Sequence, residues 1–172
     1  MARLAALLLL ASVAGLLCGA CHSVRLAPPR VTPQDLDRLA GPPWQGSLEY
    51  LDYSSGKHVE LRAALRVERK PGTGLVWLLG ISFPDEPGAN GTSELVLSAD
   101  GRELGGEAVL ERSEVAGGIL RIVTEAQGSD DDRPATLRHV YRLGAREASS
   151  QKLVRPQGAA EFLERNVYRW RR

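Results

Sequence analysis

Residues 44–68 read WQGSLEYLDYSSGKHVELRAALRVE. In the second half, Val59, Leu61, Ala63, Leu65 and Val67 alternate with Glu60, Arg62, Ala64, Arg66 and Glu68. Successive side chains of a strand point to opposite faces, so this spacing builds one dry face and one charged face. A helix would scatter the same residues around its circumference. In the first half, Trp44, Gly46, Leu48 and Tyr50 share a face, and Ser54-Ser55-Gly56-Lys57 supplies turn chemistry between the two runs. The stretch predicts a β-hairpin from an antiparallel sheet that meets solvent on one side.

The rest of the chain repeats the idea. Leu75 to Phe83 is the most apolar run, with Leu75, Trp77, Leu79, Ile81 and Phe83 on one face. Further strands are expected over 92–98, 107–115, 119–126 and 136–143, with a short one near 152–155 and a closing one over 162–170. Residues 127–134, with Asp130, Asp131 and Asp132, are expected as a polar loop. Eight or nine short strands with almost no helix point to a sandwich or an up-and-down antiparallel β-barrel. The barrel is favoured because an aromatic last strand can pair with the first and leave no open edge.

Ahead of the hairpin lie two segments of different character. Arg3 followed by the apolar run Leu4 to Leu17 reads as a signal peptide over residues 1–20. The run ends Leu17-Cys18-Gly19-Ala20-Cys21, which resembles a bacterial lipobox and implies lipidation of Cys21. His22 in the next position, where an aspartate would retain the protein at the inner membrane, implies an outer-membrane anchor facing the periplasm. A secreted protein with Cys21 as a spare thiol is the alternative. Residues 21–43 read as a Pro-rich tether holding five of the chain's ten prolines. Within it Thr32 to Ala40 suits one or two helical turns, with Pro33 at the first helical position and Gly41 as the stop.

Composition removes several classes of function. The chain has 22 basic and 21 acidic residues, so loss of Arg3 leaves a barrel domain (44–172 plus its tether) with no formal charge. Nucleic-acid binding wants a basic excess that is missing here. With Cys18 cleaved and Cys21 acylated, no thiol remains for a disulfide, a zinc site or a nucleophile. The sequence also lacks the common nucleophile, zinc and phosphate-loop motifs, so no enzyme activity, no cofactor and no metal is expected. Asp130-Asp131-Asp132 lacks the glycine and the distal glutamate of a calcium loop and reads as a solvated tip.

His139 shares a face with Leu137 and Tyr141 and so points toward the expected interior, whereas His58 sits beside a turn and reads as solvated. A related barrel family binds heme through a histidine on a late strand, but one histidine without partner ligands reads first as a hydrogen-bonded core or rim residue. The candidate ligand-lining residues are Trp44, Tyr50, Trp77, Phe83, His139, Tyr141 and Tyr168. The same residues would equally fill a small barrel, since eight strands leave room for side chains or one small ligand.

Gly41, Trp44, Gly46 and Tyr50 at the start and Tyr168, Arg169, Trp170 and Arg171 at the end resemble the calycin pattern, and more narrowly that of lipocalin-like bacterial envelope proteins. The resemblance implies a lipocalin-like barrel with a cavity for a small apolar ligand. It also implies an arginine from the last strand lying across Trp44, within about 6 Å of the ring centre. Arg169 is expected in that role, ahead of Arg171. Two functions therefore remain: carriage of a small apolar ligand, or a filled barrel that serves as a structural or protein-interaction lipoprotein.

Overall fold

The hairpin forms as its alternation requires. In a computed structural model, which describes residues 27–172, strand β1 (Trp44–Asp52) pairs with β2 (Lys57–Arg69), Trp44 lying opposite Leu65 and Gly46 opposite Ala63. Ala63, Leu65 and Val67 are buried, while Glu60, Arg62, Arg66 and Glu68 are exposed. Gly56 closes the turn with φ at +67°, a conformation that glycine adopts without steric cost.

Eight more strands follow: β3 (Val76–Ser82), β4 (Gly91–Val96), β5 (Glu103–Leu104), β6 (Glu107–Val115), β7 (Ile119–Asp130), β8 (Arg133–Leu143), β9 (Glu147–Pro156) and β10 (Leu163–Arg171). Neighbours along the chain are neighbours in the sheet, and β10 returns to pair with β1, Leu48 facing Tyr168. Between β4 and β5 the connection is one bridge, Leu97 to Leu104, backed by a 2.7 Å bond from the Gly105 N–H to the Val96 carbonyl. The protein is an all-β, up-and-down antiparallel barrel, nearly closed.

Three features correct the expected element list. The strand count is ten, because β5 is two residues long and too short to show a period. The expected 127–134 loop is a hairpin: β7 runs to Asp130 and β8 starts at Arg133. Asp131 and Asp132 make the two-residue turn with φ of 50° and 58°, the left-handed pair that matches the twist of flanking strands. The short strand near 152–155 is in fact ten residues, Glu147 to Pro156.

One end of the barrel is plugged. Helix α1 (Pro33–Asp37) and its flanks bury Val31, Leu36 and Leu39 against Trp44, Trp77, Leu104, Leu120 and Trp170. The segment read as a tether over 21–43 is thus, from Val31 onward, part of the barrel core. Asp35, 4% exposed in its side chain, takes a two-pronged bond from Arg112 at 2.8 and 2.7 Å and a further bond from the Thr32 N–H at 2.8 Å. Burial works to raise the Asp35 carboxyl, but these bonds outweigh it and hold it below its ordinary value. Gly41, with φ at +113°, then turns the chain into β1.

Two β-bulges decide which side chains face inward. In β6 the register slips between Val109 and Glu111, so Leu110 is the extra residue and is left exposed. The slip changes the inward parity from Glu107 and Val109 to Arg112, which lies opposite Ile122. In β10 a second slip between Glu164 and Asn166 makes Arg165 the extra residue. Bulges re-aim side chains at barrel rims, and both do so here.

Candidate functional site

The interior divides into a deep apolar chamber and a polar mouth, at the end away from the plug. The chamber is a cavity of about 190 Å³ walled by Leu65, Leu79, Ile81, Tyr141, Tyr168 and Trp170, with Leu39 from the plug and His139 also lining it. Tyr168 stacks on Trp170 with ring centres 5.4 Å apart. At the mouth a shallower pocket of about 400 Å³ is lined by Leu48, Tyr50, Phe83, Lys152, Arg165 and Asn166, among others. Cross-strand pairs carry one space into the next: Leu48 lies opposite Tyr168, and His139 opposite Lys152. A second hollow of about 300 Å³, lined in part by Tyr53, Val154 and Leu163, lies at the same end, and Asp130 borders both.

Of the seven expected lining residues, His139, Tyr141 and Tyr168 line the chamber, and Tyr50 and Phe83 line the mouth. Trp44 and Trp77 line neither. Both are fully buried near the plug, where the indole N–H of Trp44 donates to the Leu39 carbonyl at 2.8 Å and that of Trp77 to Asp37 at 3.1 Å. His58 is exposed beside Glu49 at 3.2 Å. Cys21 lies outside the described residues.

The expected arginine contact exists with a different arginine. Arg172 lies over the Trp44 ring at 4.0 Å from its centre. Arg169 points outward to Glu49 at 2.8 Å, and Arg171 is exposed.

Polar residues that sequence reading did not single out complete the interior. His139 turns its Nδ1 to the Glu107 carboxylate at 2.8 and 2.9 Å, and Thr124, fully buried, donates to the same carboxylate at 2.5 Å. Burial pushes the Glu107 carboxyl up, but the His139 and Thr124 bonds prevail and it lies below its usual value. An ionised Glu107 fixes the tautomer in which His139 Nδ1 donates. The Tyr141 phenol, stacked against His139 at 6.1 Å between ring centres, is pushed up by burial and by Glu107.

A second cluster sits at the mouth. Asp130 accepts from Lys152 at 2.6 Å and from the Tyr53 hydroxyl at 2.6 Å, and Arg165 Nε lies 3.6 Å away. Arg165 also donates to the Leu51 carbonyl and stacks on the Tyr53 ring at 4.1 Å. Burial opposes ionisation of Asp130, yet Lys152 and Tyr53 hold it below its ordinary value. The Tyr53 hydroxyl is pushed up to about 12, first by burial and then by Asp130. The carboxylate expected at a solvated tip is therefore occupied as a buried acceptor. Among the described residues, no group of three or more His, Cys, Asp or Glu side chains is placed to hold a metal ion.

A nearly closed antiparallel barrel with one plugged end and an apolar chamber defines a class of fold rather than an activity. No protein-family model matches the chain, and no curated protein matches it. Among solved structures the chain is similar to the crystal structure of Rv2717c from M. tuberculosis, with a TM-score of 0.55 at 15% identity over 84% of this chain and 99% of that one. At that identity the likeness is one of fold.

Proposed function

We propose that this protein is a non-catalytic binding protein that holds a small, mainly apolar ligand inside its barrel. The observation that carries this reading is the apolar chamber of about 190 Å³, open toward a wider polar pocket and floored by the plug. Alone the chamber is smaller than an ordinary ligand site of roughly 300 Å³ or more, and with the mouth pocket in line it reaches that range. The arginine over Trp44 adds to the lipocalin-like resemblance. The buried polar groups do not form a nucleophile and base: the Thr124 hydroxyl donates to Glu107 and not to His139.

The proposed address is the bacterial envelope, with Cys21 acylated in the outer membrane and the barrel in the periplasm. The lipobox-like run at residues 17–21 supports it.

The small chamber favours a competing reading, a packed barrel whose outer face meets another envelope protein. Against it, the large hydrophobics left exposed among the described residues are Tyr53, Val96 and Leu110. Titration with the neutral dye N-phenyl-1-naphthylamine separates the two. Saturable binding at one dye per chain supports the ligand reading, and absence of saturable binding supports the packed barrel.

A further inference from the structure

The mouth cluster has more positive charge than the fold uses. Lys152 and Arg165 both turn to Asp130, so two cations share one carboxylate. Arg165 is 3.6 Å from that carboxylate, outside hydrogen-bonding distance, and its Nη1 is engaged by Leu51. Among the described residues its Nη2 has no hydrogen-bond partner, and Lys152 makes one bond where an ammonium can make three. Both side chains are only about a quarter exposed, at 23% and 24%. A half-buried cation without a counter-charge is unfavourable unless something else supplies one. The bulge that makes Arg165 the extra residue of β10, and the Tyr53 ring under its guanidinium, hold it in place at this rim.

From this geometry we infer that the mouth is a head-group subsite for a single-chain amphiphile with one negative charge, held by Lys152 and Arg165. The inference rests on the binding reading above and names the ligand class. The apolar chain would enter the chamber between Tyr168 and Ile81. Its head cannot follow, because Glu107 lies deeper, beyond Lys152, and would repel it. Glu86 on the rim is exposed, so its charge is screened by water while the inward cations act at lower dielectric. One cation in excess of Asp130 matches a monoanion such as a carboxylate.

The test is calorimetric binding of decanoate, decanol and decyltrimethylammonium to the purified full chain, each below its micelle concentration. Decanoate should bind about tenfold more tightly than decanol, with decyltrimethylammonium weakest. Lys152→Met and Arg165→Met should each weaken decanoate by about tenfold while leaving decanol within about twofold, which also shows that the variants are folded. Asp130→Asn should strengthen decanoate binding, because it removes the competing carboxylate; a purely structural role for the cluster predicts no gain. Equal binding of decanoate and decanol, preference for the cation, or weaker decanoate binding by Asp130→Asn overturns the subsite and leaves the ligand reading standing. Failure of all three compounds to bind overturns the ligand reading itself.

Discussion

The guanidinium of Arg172 lies 4.0 Å from the centre of the Trp44 ring and donates to the carbonyls of Ala40 at 2.9 Å, Arg38 at 3.0 Å and Ala145 at 3.3 Å. The last residue of the chain thus ties the plug to the first strand and to the β8–β9 turn. Arg172→Ala should cost about 1–2 kcal/mol, combining a cation–π contact with exposed hydrogen bonds. Arg171→Ala should stay within about 0.5 kcal/mol, as expected for a surface change. Urea denaturation midpoints of the two variants check the ordering, and equal effects would contradict it.

Gly46 sits where β10 closes on β1. A methyl group there would lie 1.8 Å from the Arg169 carbonyl oxygen and 3.0 Å from the Trp170 ring. Backbone cannot yield that much without losing strand pairing, so Gly46→Ala should destabilise the barrel by about 3 kcal/mol or more. Gly56→Ala meets no atom within 4 Å and differs only through its φ of +67°, so it should cost about 1 kcal/mol. Thermal melts of both variants test the seam.

The Asp35–Arg112 pair should dominate the acid response of the plug. The folded carboxyl is held below its ordinary 3.8, so its stabilisation is complete above that value and is lost as pH falls through the lower, folded one. Glu107 and Asp130 are also depressed and act in the same direction, Glu107 from an ordinary 4.5. Stability should therefore be level above about pH 5 and decline below it. Arg112→Ala leaves a buried carboxylate unpaired and should cost about 3 kcal/mol at pH 7. In that variant protonation relieves the charge, so its deficit against the parent should shrink as pH falls below 3.8. A deficit that grows instead would contradict the assignment. Denaturant midpoints across pH 3 to 7 measure it.

Period-two alternation made the barrel readable because a strand's two faces meet different solvents. Residues 44–68 and the inward row Leu137, His139, Tyr141 and Leu143 carried most of that signal. The same alternation identifies Arg172, which shares the inward parity of Tyr168 and Trp170, whereas Arg169 and Arg171 lie on the outward one. Favouring Arg169 weighed fraying of the terminus above parity, and three carbonyls hold that terminus down. Bulges were harder to see. One extra residue reverses parity, and nothing in Val109-Leu110-Glu111 or Glu164-Arg165-Asn166 marks where the slip falls. The site residues most affected are therefore the ones missed, among them Arg165. Glu107 shares the parity of Val109, but a lone carboxylate at a strand start gives no sign of a histidine 32 positions away.

The envelope address has its own test. Cys21→Ser should move the barrel from the membrane fraction to the soluble periplasmic fraction. Unchanged membrane fractionation of the variant would contradict lipidation at this residue.

The central claim, a ligand inside the barrel, is tested most directly by native mass spectrometry of the protein extracted from its own membrane. The account predicts a retained small molecule on the parent chain that is missing from Leu79→Trp, in which a larger ring fills the chamber. A bare parent chain, or one that carries a stoichiometric protein and no small molecule, would contradict it.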